Sequence, residues 1–101
     1  MELHKNKLHK NPQALTRIID SNAVVIFLSD ESDSSLKRDV YIFNATGSRI
    51  WDLINGKNNI AEITRKLYPE YNLTLQKLKQ QINKFVSKLN ENRLIDNATG
   101  E

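Results

Sequence analysis

Apolar and polar positions alternate in short runs through the first half of the chain, then take up a helical period in the second. Leu15-Thr16-Arg17-Ile18-Ile19 has the β-branched content of a strand, and Asp20-Ser21-Asn22 supplies the turn after it. Val24 to Leu28 forms a second strand, apolar at every position, which predicts cover on both of its faces. Ser29 to Ser35 is a solvated loop with nothing to bury, and Val40-Tyr41-Ile42-Phe43 is a third strand. Three strands with short connections predict an antiparallel meander. The polar stretch 1–12, ended by Pro12, reads as a mobile arm.

From Asn44 onward the spacing is that of helices. Asn44 is a good N-cap for a first helix whose stripe is Ile50, Trp51, Leu53 and Ile54, and Asn55-Gly56 stops it. Trp51 falls on the core side of that stripe. Asn59, with Glu62 three residues later, has the form of a capping box and opens a second helix over Ile60, Ile63 and Leu67. Pro69 helps end it. Thr74 caps the third and longest helix, with Leu75, Leu78, Ile82, Phe85, Val86 and Leu89 on one arc. Residues 13–95 therefore form one α+β domain, a three-stranded antiparallel sheet followed by three helices in a winged-helix-like arrangement. Residues 96–101 read as a frayed tail.

Composition removes several classes of function. The chain has 101 residues, 39% of them hydrophobic and 27% charged, and no cysteine. Disulfides, thiolate metal sites and a cysteine nucleophile are excluded. His4 and His9 both lie in the arm and build no rigid metal site. The carboxylates Asp30, Glu31 and Asp33 lack the turn glycine and further ligands of a calcium loop. With three glycines and no phosphate-binding loop, no cofactor and no catalysis are expected. The longest apolar run is too short to span a bilayer and no secretory signal precedes it, so the expected location is the cytoplasm. Net charge is only +3, yet Lys77, Lys79, Lys84, Lys88 and Arg93 face Glu91 alone within 74–93. That surplus points to an acidic partner surface or to nucleic acid.

Three stretches, in this order, resemble the PqqD family. Asn44-Ala45-Thr46-Gly47-Ser48-Arg49-Ile50-Trp51-Asp52-Leu53-Ile54-Asn55-Gly56 is similar to its Asn-x-Thr…Ile-Trp-x-Leu…Gly segment. Asn59 to Ile63 with Leu67 and Tyr71 resembles the next, and Phe85 to Leu89 with Arg93-Leu94-Ile95 the last. Phe43 stands where the family usually has Leu, and Asn92-Arg93 replaces a usual Gly. The resemblance implies a module that binds the leader of a ribosomally made precursor peptide. It would deliver that peptide to a modifying enzyme such as a radical SAM maturase, a lasso-peptide protease or a cyclodehydratase. It also implies where the leader lies, as a strand added to the third β-strand beside the third helix.

The residues suit that role. In a meander the third strand is an edge, and Val40, Tyr41, Ile42 and Phe43 include no proline to interrupt a ladder. Either Tyr41 or Ile42 faces the helices, and the alternation alone does not choose between them. Lys77, Leu78, Gln81, Ile82, Lys84 and Phe85 would form the second wall, with cationic heads along an apolar groove. The alternative is a winged-helix DNA-binding protein whose third helix enters the major groove. Against it stand the small charge surplus and the acidic loop at Ser29 to Ser35. The expected oligomeric state is a monomer or weak homodimer.

Overall fold

The computed structural model describes residues 7–30 and 36–96. The elements, in chain order, are β1 (His9–Lys10), β2 (Ala14–Ile19), β3 (Asn22–Asp30), β4 (Leu36–Ile42), α1 (Ala45–Leu53), α2 (Ile60–Leu67), a 3-10 turn (Tyr68–Glu70), α3 (Leu75–Glu91) and β5 (Ile95–Asp96). The fold is α+β, with an antiparallel sheet in the order β2-β3-β4 and three helices packed on one of its faces. Glu31, Asp33 and the rest of the loop 31–35 lie outside the described residues, as do His4, residues 1–6 and residues 97–101.

Local chemistry places the turns and ends where the sequence pattern puts them. Asp20 and Ser21 both take positive φ, 52° and 69°, which makes the β2–β3 link a two-residue turn matched to strand twist. Asn44 accepts the Gly47 N–H at 2.8 Å, and Thr74 accepts the Lys77 N–H at 3.1 Å. The capping box closes reciprocally: Glu62 N–H donates to Asn59 and Asn59 N–H donates to Glu62, each at 2.8 Å. Gly56 takes φ 85° past the end of α1, the left-handed conformation its position requires.

At the end of α3 the left-handed residue is Arg93, at φ 62°, while Asn92 keeps φ −94°. The Arg93 and Leu94 N–H groups donate to the Asn90 and Leu89 carbonyls, which closes a Schellman motif. A side chain in that conformation costs about 1 kcal/mol that glycine avoids. Arg93→Gly is therefore expected to stabilise the fold by about 0.5–1 kcal/mol, less the extra freedom of the unfolded chain. A thermal melt that fell rather than rose by a few degrees would contradict this.

One face of the sheet joins the core and the other does not. Ala23, Val25 and Phe27 of β3 are buried against Ile50, Trp51, Ile63, Leu67, Leu78, Ile82 and Val86. Val24, Ile26 and Leu28 point the other way and are only half-buried. The two-sided cover that an uninterrupted apolar strand predicts is thus absent among the described residues, because all three helices sit on the same side.

The N-terminal segment departs furthest from its sequence pattern. Residues 7–12, with the look of a mobile arm, are packed. Leu8 is fully buried, its N–H donates to the Asn58 carbonyl at 2.9 Å, and its carbonyl accepts from Gly56 at 2.7 Å. β1 pairs with β5, His9 opposite Asp96 and Lys10 opposite Ile95. The Lys10 ammonium donates to the Ile54 carbonyl at 2.9 Å and sits 5.1 Å from the Trp51 ring centre. No helix-like or strand-like periodicity announces such a segment, since its ladder is two residues long. Asp96, assigned by its polar surroundings to a tail, is the last residue of this ladder.

Two exposed ion pairs tie elements together. Lys7 contacts Glu62 at 2.9 Å, and Arg49 grips Glu70 through two N–H···O bonds of 3.0 and 2.6 Å. The Arg49 bond holds the Glu70 carboxyl below its ordinary 4.5. A depressed carboxyl stabilises the fold above the unfolded-state value and loses that contribution as pH falls through the folded one. Glu70→Gln should therefore shrink the stability difference between pH 7 and pH 3, as read from urea midpoints. An undiminished difference would show that the pair contributes nothing.

Candidate functional site

β4 is an edge of the sheet, and its backbone shows which groups remain unused. Phe43 N–H donates to the Ala23 carbonyl at 3.0 Å, so the odd-numbered residue is directed into the sheet. Tyr41 lies opposite Val25 in the same register. Alternation along a strand then turns the N–H and C=O groups of Val40 and Ile42 outward. No described residue pairs with that edge. The N-terminal segment, one candidate to cover it, is engaged with β5 instead.

The side chains alternate as well. Tyr41 and Phe43 point to the helices, Tyr41 packing on the core and Phe43 buried. Val40 and Ile42 point to the outer face and are 55% and 73% exposed. That settles which of Tyr41 and Ile42 faces the helices.

Beside the end of β4 lies a cavity of about 340 Å³ lined by Ile42, Phe43, Asn44, Thr46, Gly47, Ile50, Gln81 and Phe85. A second hollow, of about 220 Å³, continues along α3 between Gln81, Lys84, Phe85 and Lys88. Phe85 belongs to both. Its ring meets Phe43 edge-on at 5.1 Å, and Phe43 meets Trp51 at 5.6 Å, so the groove floor is backed by an aromatic chain reaching the core. Gly47 permits the arrangement. A Cβ there would stand 3.0 Å from the Phe85 ring and 3.3 Å from the Phe43 Cβ, so a side chain at 47 would require the packing of these two residues to give.

Four of the ten residues singled out from the sequence, Ile42, Phe43, Gln81 and Phe85, meet in the first cavity, and Lys84 joins Gln81 and Phe85 in the second. Val40 adds its outward backbone. Leu78 and Ile82 are fully buried and back the groove from the core rather than line it, since they sit on the centre of the α3 apolar arc. Lys77, in the first turn of α3, lines neither hollow. Asn44, Thr46, Gly47 and Ile50 also line the first cavity, a place that their readings from the strand and helix patterns, as cap and stripe, did not give them. Their signal was a glycine inside a helical segment, which marks close approach.

Lys84 and Lys88 have no hydrogen-bond or ion-pair partner among the described residues, so two uncompensated cations stand on the rim. Among the described residues no cluster of His, Asp or Glu is placed to hold a metal ion, and no helix is long and apolar enough to cross a membrane.

An open edge strand beside an aromatic-floored groove is a surface that an extended chain can join. A family model described as coenzyme PQQ synthesis protein D (PqqD) matches residues 25–95, and the chain belongs to that family. Comparison with curated proteins finds no significant match. Among solved structures the chain is similar to TbiB1 in complex with the TbiA(beta) leader peptide. That pair is 18% identical with a TM-score of 0.72, over 92% of this chain and 99% of the other. It is similar also to lasso peptide synthetase B1 complexed with the leader peptide, again at 18% identity, with a TM-score of 0.71 over 89% and 98%. At that identity the likeness is one of fold.

Proposed function

We propose that the protein binds the leader of a ribosomally synthesised precursor peptide as a fourth strand on β4 and presents it to a modifying enzyme, itself catalysing nothing. The observation that carries this reading is the outward-turned, unpaired backbone of Val40 and Ile42 beside the Phe85 groove. A peptide strand there gains main-chain hydrogen bonds from the edge, while alternate side chains enter the groove. Family membership and the two leader complexes of the same fold support it. Neither supports the DNA-binding alternative. The reading puts the protein in the cytoplasm, where precursor peptides are made, as a monomer or weak homodimer.

Apolar leader side chains would supply affinity at Phe43 and Phe85, and leader carboxylates would meet Lys84 and Lys88. The test is a fluorescence-anisotropy titration with the labelled leader of a short precursor-like peptide sought in the neighbouring reading frames, a scrambled leader and a random DNA duplex. Saturation by the leader alone is expected. Lys84→Glu should weaken it about threefold to tenfold, more at low salt than at high. Saturation by the duplex with a steep salt dependence would instead favour DNA binding, and equal binding of the scrambled leader would remove the sequence-reading role.

A further inference from the structure

The sheet has a second open edge. β2 lies at the opposite side from β4, and no described residue pairs with its outer side. The Leu28 N–H donates to the Gln13 carbonyl, and Leu15, Arg17 and Ile19 stand opposite Ile26, Val24 and Asn22. Alternation therefore turns the N–H and C=O groups of Thr16 and Ile18 away from β3, together with the carbonyl of Ala14. The Ala14 N–H already donates to the Asn11 carbonyl at 2.9 Å, and past Ile19 the turn at Asp20 and Ser21 leaves the extended conformation. The free stretch is thus short and closed at both ends. Every residue from Leu15 to Ile19 is exposed, with Leu15, Ile18 and Ile19 more than half so. Of the devices that keep an edge from pairing, it has only its shortness and one charge, Arg17.

Length and register favour a copy of itself as the occupant. Two β2 strands related by a two-fold axis pair antiparallel, and outward-turned residues must meet outward-turned residues. Centred on Arg17, the pairing would set two guanidinium groups opposite one another. Centred on Ile18, it would bring Thr16 against Asp20 of the second copy, whose φ of 52° belongs to the turn and not to a strand. Centred on Leu15, it would leave Ile18 opposite Pro12, outside β2. Centred on Thr16, it has none of these faults. Each Thr16 then exchanges both bonds with the other, each Ile18 N–H meets the other's Ala14 carbonyl, and Leu15 lies against the stem of the other's Arg17. A longer foreign strand would overhang this stretch with its own groups unpaired, whereas a second β2 ends where the first does.

We infer that the protein forms a homodimer by antiparallel β2–β2 pairing centred on Thr16, which keeps both β4 edges open at the outer sides of the joined sheet. The contact is isologous and closes on itself, and its shortness makes it weak. It needs no peptide, so it stands apart from the leader-binding reading.

The test is sedimentation velocity on the full chain over a range of concentrations, with Ile18→Pro, Leu15→Arg and Leu15→Glu beside the wild type and circular dichroism to check folding. Ile18 is 66% exposed and its N–H faces away from β3, so proline there removes a donor that only the second copy uses. The wild-type sedimentation coefficient should rise with concentration, while Ile18→Pro stays monomeric. Leu15→Arg should weaken the dimer about threefold to tenfold at low salt, because residue 15 faces Arg17 of the second copy. Leu15→Glu should hold or tighten it for the same reason. Leader should saturate at one per chain and leave the dimer intact.

A wild type that stays monomeric overturns the inference, and if it then takes up two leaders per chain the β2 edge is a second peptide site. A dimer that survives Ile18→Pro, or that responds alike to Leu15→Arg and Leu15→Glu, overturns it as well. So does a dimer that excess leader dissolves, since self-pairing would then run through β4. Dimerisation with no uptake of leader at all would sink the leader reading and leave this inference standing, which separates the two failures.

Discussion

Ile42→Pro is expected to weaken leader binding on the order of a hundredfold while the protein stays folded. The Ile42 N–H faces away from β3, so proline there removes a donor that only an added strand uses. A leader carbonyl left without that donor loses about 1–3 kcal/mol, and the ring hinders close approach of the strand besides. The side chain is 73% exposed, so little core packing is at stake. Tyr41→Pro is the control. Its N–H lies on the β3 side of the ladder and its ring packs on the core, so this variant should lose stability along with binding. Anisotropy titrations paired with urea melts separate the two. Wild-type leader affinity in Ile42→Pro would rule out addition at the β4 edge.

Leu8→Ala should destabilise the fold by about 2–4 kcal/mol, because Leu8 is fully buried and its loss leaves a cavity. For a domain of this size that lowers the melting temperature by roughly 10–20 °C. The size of the effect tests whether residues 7–12 belong to the folded unit. A melt within about 2 °C of wild type would mean that the segment merely rests on the surface. The peptide edge lies on β4, away from this segment, so leader affinity below the melt should be unchanged.

What could be read in advance depended on the range of the interactions. Caps and turns rest on contacts within four residues, and Asn44, Asn59 with Glu62, Thr74 and Gly56 all act as their spacing predicts. Trp51 is buried as its place on the α1 stripe requires, with its indole N–H donating to Thr16 at 2.8 Å. The strand edges were less visible: β4 begins at Leu36 rather than Val40, because pairing with β3 overrides the charged residues Lys37, Arg38 and Asp39. Leu78 and Ile82 share the α3 arc with Phe85, and periodicity cannot say that only Phe85, nearest β4, stays half-open. The β1–β5 ladder joins residues more than eighty apart, and no local pattern encodes it. Of the pair Asn92-Arg93 that stands in place of a glycine, Arg93 takes the left-handed position, because it is the residue that follows the cap in the Schellman geometry.

That ladder also settles how the unit can be handled as a part. His9 and Asp96 are opposite one another, so the chain enters and leaves a unit that keeps Leu8 at neighbouring points, about 5 Å apart across the ladder. A piece with adjoining ends can be spliced into a surface loop of a host protein without stretching either chain. The splice would lie at the β1–β5 side, leaving the β4 edge free to work in the host.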